Sequence, residues 1–263
     1  WGRTSDEGGG LVLLAHTRRA DNDFTYVDHN QTFHRTDDDT VRVLHLTDPH
    51  LFADFYGELR GTVTADSLQS VLDHYGIADW RAHRVLVTGD LIHDDSAEAY
   101  DRFRDLMLPL NLRVHCVPGN HDIRGLMRPV CQWPPFSYCA WEEVGNWLLV
   151  GLDSCLPGQA GGAVSEEELE RLAEIVGASA ARHVLVFLHH PPVPMGSKWL
   201  DTVGMANGEE VLDLLMRLER EAKQAVVTIR DEGPGIPEQH LDGIFARFFS
   251  FRSGAEARAG PEP

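Results

Sequence analysis

Positive charge is scarce in this chain. Twenty-three lysines and arginines stand against 41 aspartates and glutamates over 263 residues, for a formal charge of −18. Duplex nucleic acid needs a basic footprint, so that balance argues against it as a partner. It also leaves many carboxylates free to hold cations. Cysteines are few, and Cys116, Cys131, Cys139 and Cys155 contain no C-x-x-C pair. Neither a zinc ribbon nor a redox motif is supported, and reduced, mostly buried thiols are expected. No run approaches the ~18 consecutive apolar residues of a membrane helix. No cationic start precedes an apolar segment, so cytoplasmic residence is the expectation. What the chain does have is 43% hydrophobic residues, ample for one large α/β domain or two small ones.

Residues 1–40 are polar, with Gly8-Gly9-Gly10 and Asp37-Asp38-Asp39 around one short apolar run from Leu11 to Ala15. A poorly ordered leader or a peripheral hairpin is expected there. From residue 41 the character changes. Apolar runs at 41–47, 84–88, 112–117, 147–152, 183–188 and 225–229 read as buried strands. Between them, helical spacing of apolar residues marks helices at 64–76, 96–108, 165–177 and 208–222. Asp95 or Ser96 caps the second, and Ser165 with Glu168 gives the third a capping-box start. Strands alternating with helices predict an α/β fold with helices flanking the sheet.

Polar residues gather where those strands end: Asp48-Pro49-His50, Gly89-Asp90, Gly119-Asn120-His121-Asp122 and His189-His190. The ends of successive strands in an α/β sheet are where such folds place ligand sites. Asp48 and His50, two apart, can face one cation. The two oxygens of Asp90 can bridge two cations, while Asn120 offers a carbonyl oxygen and His189 an imidazole nitrogen. Mixed nitrogen and oxygen donors suit two divalent transition metals, manganese, iron, zinc or cobalt, better than calcium or magnesium. Two such ions about 3.5–4 Å apart activate water and clamp phosphoryl oxygens during in-line displacement. His121 is then the natural general acid for the departing alkoxide, with Asp122 orienting or charging its ring.

The stretches "LHLTDPHLF", "VLVTGDLIHD", "VPGNHD" and "LHHPPVPMGSKWLD" resemble calcineurin-like metallophosphoesterases over about residues 41–227. Among these they look most like the bacterial class III 3′,5′-cyclic-nucleotide phosphodiesterases. The resemblance implies a layered β-sandwich flanked by helices. It implies Asp48 and His50 on one metal, Asp90 bridging, and Asn120 and His189 on the other. Asn120 and His121 would meet the phosphate, with His190 nearby. The implied substrate is cyclic AMP or a similar small-molecule phosphodiester. The partners expected are that substrate and, in a homodimer, a second copy of the chain, with no membrane.

The same family ends its next core strand with G-H-x-H. Aligned on Ala225-Val226-Val227, that motif meets Ile229, Arg230 and Glu232 instead. A guanidinium stays protonated and repels a cation, whereas Glu232 remains a replacement ligand. The domain is therefore expected at 41–229, lacking the family's C-terminal strands, with a weakened metal site. Residues 230–263 read as a foreign tail. "VVTIRDEGPGIPEQHLDGIFARFFSFR" is similar to part of the ATP-binding domain of sensor histidine kinases, through Asp231, Gly233 and Gly235 and then Phe245, Phe248 and Phe249. Two rivals to a working phosphodiesterase follow: an inert nucleotide- or metal-binding module, and an ATP-binding signalling fragment carried by the tail.

Overall fold

A computed structural model describes residues 14–17, 40–195 and 200–218. In chain order the first elements are β1 (Leu14–Thr17), β2 (Val43–Leu46), the small hairpin β3 (Glu58–Leu59) and β4 (Thr62–Val63), and α1 (Thr64–Ile77). Then come β5 (Arg84–Thr88), α2 (Ala97–Met107), β6 (Val114–Val117), α3 (Arg124–Cys131), β7 (Phe136–Tyr138) and β8 (Trp141–Val144). β9 (Trp147–Gly151), α4 (Glu166–Ala178), β10 (His183–Phe187) and α5 (Gly208–Leu218) complete the described chain.

One sheet has the order β2-β5-β6-β7, all parallel, and the other β1-β10-β9-β8. In the second sheet β9 and β10 are parallel, while β8 and β1 run antiparallel to their neighbours. The two sheets face each other through Leu86 and Val117 on one side and Leu149, Leu185 and Phe187 on the other. Val85 and Val87 point the opposite way, into a core shared with Leu68 and Leu72 of α1, Phe103 of α2 and Met127 of α3. On the far side, Leu148, Val150, Val184 and Val186 pack on Leu169 and Leu172 of α4 and Val211 of α5. The result is helix, sheet, sheet, helix. Both faces of each sheet are covered, which is why the central strands read as unbroken apolar runs and not as alternating ones. Gly151 sets how closely the sheets approach: a Cβ there would lie 2.9 Å from both Phe187 and Val117 side-chain atoms.

One half-buried ion cluster joins the sheets. Arg84 of β5 donates from Nε and Nη2 to the two oxygens of Glu142 on β8, each at 2.7 Å. His115 of β6 lies 2.8 Å from the same carboxylate and 2.8 Å from the Ser137 hydroxyl. Burial pushes the Glu142 carboxyl up, but the hydrogen bonds and charge of Arg84 and His115 outweigh it and hold it at about 2.

The layered α/β expectation is met, and within the described residues the strands and helices fall at the predicted places. Ser96 caps α2 by accepting from the Ala99 N–H, and Ser165 caps α4 by accepting from that of Glu168. The Glu168 carboxylate does not close a capping box; it takes both Nε and Nη2 of Arg171. Several elements escape a periodicity reading. Pro129 lies inside α3, and two glutamates fill the middle of β8. The leader contributes β1, which pairs along the free edge of β10. The strand expected at 225–229, the tail at 230–263 and Glu232 within it lie outside the described residues.

Candidate metal centre

Three strand-end loops and one loop from the opposite sheet meet at a single place. The loop after β2 runs alongside the loop after β5: the Asp48 N–H donates to the Gly89 carbonyl (3.1 Å) and the His50 N–H to that of Asp90 (2.9 Å). Asp48, His50 and Asp90 all take positive φ, at 52°, 43° and 53°. Asp, Asn and His tolerate the left-handed region better than other non-glycine residues. Two glycines permit the crowding. A Cβ on Gly119 would sit 2.1 Å from Asp90 Oδ1, and one on Gly89 2.6 Å from His189 Nδ1.

Asp90 is the centre of this cluster, 1% exposed. Its Oδ2 lies 3.6 Å from His50 Nε2, which in turn lies 3.8 Å from Asp48 Oδ1. Its Oδ1 lies 3.6 Å from His189 Nε2 and accepts from the His121 backbone N–H at 2.9 Å. Asn120 Oδ1 stands 3.3 Å from the same His189 nitrogen. The two oxygens of one carboxylate therefore face two different donor sets.

The donor chemistry fits cations. His189 Nδ1 lies 2.8 Å from the Thr88 carbonyl, an obligatory acceptor, so Nδ1 carries the proton and Nε2 turns its lone pair toward Asp90 and Asn120. The ring nitrogens His189 Nε2 and His50 Nε2 then face the oxygens of Asp90 and Asp48 across gaps of 3.6 and 3.8 Å, wider than a hydrogen bond. A cation with bonds of about 2.0–2.2 Å bridges such a gap. Ligand atoms of Asp48, His50 and Asp90 all lie within 4.8 Å of one another. Burial would lower the His189 pKa, yet the charges of Asp90 and Asp48, with the Thr88 carbonyl, raise it overall. Burial, aided by His121, His93 and His189 and opposed by Asp90, brings His50 down to about 4, so its ring is neutral and ligand-competent near pH 7.

The structure thus brings together Asp48, His50, Asp90, Asn120, His121 and His189. His121 is half-buried with its ring edge-on to His50, centroids 5.0 Å apart. Two other expected residues sit close by but are turned elsewhere. The Asp122 carboxylate takes the Leu91 and Gly119 N–H groups (3.1 and 2.8 Å) and the Tyr100 hydroxyl (2.9 Å). It pins the loop after β6 onto the loop after β5 and is not placed on the His121 ring. Burial lifts its pKa to about 6 against these bonds. His190 is 1% exposed, with Nδ1 on the Ser154 hydroxyl (2.9 Å) and Nε2 on the Ala160 carbonyl (3.1 Å). Both ring nitrogens are used inside the protein, so His190 braces the 154–162 loop and has none left for a substrate.

Two features were not singled out in advance. Arg124, at the start of α3, grips Asp153 through Nε (2.5 Å) and Nη2 (2.9 Å), tying the Asn120 loop to the end of β9. His93, three residues past Asp90, stacks on His121 with centroids 5.2 Å apart. Its place in the "GDLIHD" loop was the only signal available. Beyond His190 a cleft of about 470 Å³ opens between Gly161, Pro191, Pro192 and Met205. Among the described residues, no helix is long and apolar enough to cross a membrane.

The chain is 36% identical over 178 residues to the 3′,5′-cyclic adenosine monophosphate phosphodiesterase CpdA of Pseudomonas aeruginosa, covering 68% of this chain and 65% of that protein. It is 35% identical over 187 residues to the protein of the same name from Haemophilus influenzae, covering 71% and 68%. A probable cyclic nucleotide phosphodiesterase of Synechococcus is 30% identical over 176 residues, covering 67% and 68%. The match thus spans just under two thirds of the Pseudomonas relative. Residues 41–223 match the calcineurin-like phosphoesterase family, and with the strand-end cluster inside that span, the chain belongs to it.

Proposed function

We propose that this chain hydrolyses phosphodiesters, with cyclic nucleotides such as cyclic AMP as the favoured class, using two divalent cations. The observation that carries this reading is the position of Asp90, whose two oxygens face His50 with Asp48 on one side and His189 with Asn120 on the other. Those residues would hold the metals, manganese, iron, zinc or cobalt, as their mixed donors favour. Bound there, divalent cations lower the pKa of water and neutralise charge on phosphoryl oxygens. Asn120 and His121, both half-buried beside this cluster, would meet the phosphate. His121 gives a proton from its imidazole to the leaving alkoxide. Asp122 acts through the backbone by holding the loop that presents both. The names of the relatives support the cyclic-nucleotide class.

Arg230 and Glu232 stand where the family pattern implies two more imidazoles, so metal affinity and turnover are lower than in a complete site. That guanidinium also favours a second reading, a module that binds nucleotide with little turnover. The test is elemental analysis with hydrolysis of bis-p-nitrophenyl phosphate and cyclic AMP in added manganese. Two cations per chain with low but measurable turnover support an enzyme, and zero cations overturns it. Ile229→Gly with Arg230→His and Glu232→His should raise both values. If it raises neither, the alignment of that strand is wrong.

A further inference from the structure

We infer that His93 is a positioning residue that fixes which nitrogen of His50 faces the cation site and sets the plane of the His121 ring. The inference deepens the reading above and rests on it. Its backbone is anchored first: the His93 N–H donates to the Leu51 carbonyl at 2.8 Å, and the Leu51 N–H donates to that of Leu91 at 2.9 Å. The loops carrying His50 and Asp90 are thus locked side by side, and the His93 side chain emerges beside His50. Its Nδ1 lies 3.4 Å from His50 Nδ1.

A neutral imidazole carries one proton. His50 Nε2 looks at Asp90 Oδ2 and Asp48 Oδ1 from 3.6 and 3.8 Å, beyond hydrogen-bond reach, and its lone pair is what a cation there requires. The proton of His50 therefore belongs on Nδ1, where the described acceptor is His93 Nδ1. His93 in turn keeps its own proton on Nε2. A metal-ligating histidine needs such a partner on its second nitrogen, which fixes the tautomer and the ring orientation.

The ring of His93 does a second thing. It lies nearly parallel to His121, 20° between planes, while Phe52 packs against it with centroids 5.0 Å apart. His93 thereby packs against both the ligand ring of His50 and the acid ring of His121.

The test uses full-length His93→Phe and His93→Gln. Phenylalanine keeps the ring that contacts His121 and Phe52 but removes the acceptor; glutamine returns an acceptor. Manganese affinity by calorimetry, melting temperature in EDTA, and kcat and KM on bis-p-nitrophenyl phosphate are compared. The expectation is about tenfold weaker manganese binding for one equivalent in His93→Phe, with kcat lowered at saturating metal and melting in EDTA unchanged. His93→Gln should recover manganese affinity to within about threefold of the parent. Equal affinity in parent and His93→Phe overturns the positioning role, as does a glutamine variant no better than phenylalanine. A third, zinc-selective equivalent lost with His93 would make it a ligand instead, in a site with His50 and His121, and also overturns it. A parent that binds no cation overturns the phosphoesterase reading itself.

Discussion

His189 donates from Nδ1 to the carbonyl of Thr88 at 2.8 Å. A residue on the last described strand-end of one sheet is thereby fastened to the final residue of β5 in the other. The bond decides the tautomer, and the tautomer decides that Nε2 is the atom offered to Asp90 and Asn120. His189→Gln can still reach Thr88 through its amide but presents no aromatic lone pair. We expect it to bind about one divalent cation fewer per chain, at least tenfold more weakly, read by equilibrium dialysis. Unchanged stoichiometry would remove His189 from the site.

Asn120→Ala removes a half-buried side chain whose described contact is with His189. Phosphodiester turnover should fall by at least about a hundredfold, in the range seen for loss of an electrostatic group at a reacting centre. The melting temperature should stay within about 2 °C of the parent, as for other substitutions outside the core. Full activity in this variant would move the chemistry elsewhere.

Tyr100→Phe tests the loop clamp. Its hydroxyl donates to Asp122 Oδ1 and accepts from the Ile123 N–H, both at 2.9 Å. Removing it leaves a buried carboxylate short of one donor and an N–H without its acceptor, which costs about 1–3 kcal/mol. Urea unfolding gives the value, and a loss below about 0.5 kcal/mol would mean that water replaces the hydroxyl.

Gly119→Ala places a Cβ 2.1 Å from Asp90 Oδ1 and 2.3 Å from the Asp90 nitrogen. Neither atom can retreat, because one belongs to the centre of the site and the other to its backbone. Overpacking of this kind costs about 1–3 kcal/mol or more, and cation binding should fall with it. A variant with parental stability and metal content would show that the two loops are not packed as described.

Acid stability should carry the mark of Glu142. Its carboxyl sits at about 2 in the fold against an ordinary value of 4.5. A depressed folded pKa contributes stability that is complete above the unfolded value and is lost as pH falls through the folded one. Between pH 4.5 and 2 the parent should therefore lose melting temperature faster than Glu142→Gln. Parallel curves in that window would show that the ion cluster between the sheets carries no net linkage.

The layered fold was readable because strands covered on both faces leave an unmistakable apolar run, as at Val85 to Val87 and Val184 to Val186. The ligand candidates were readable because each directly follows such a run. What could not be read was the direction in which side chains turn. Asp122 faces Tyr100, which lies 22 residues earlier on α2, and His190 faces Ser154 and Ala160 from another loop. His93 and Glu142 take their places from partners distant in sequence, His50 and His121 for the one and Arg84 and His115 for the other. Tertiary pairing decided each of these, and nothing in local spacing encodes it.

The left-handed backbone at positions 48, 50 and 90 has a practical corollary for dissecting this protein. Alanine at any of them deletes a donor atom and also forces an ordinary L-residue into a conformation that costs it about 1–2 kcal/mol. An alanine scan would then confound chemistry with folding. Glycine accepts positive φ without that penalty, so Asp48→Gly, His50→Gly and Asp90→Gly are the cleaner deletions, silencing the donors while leaving the turns at ease.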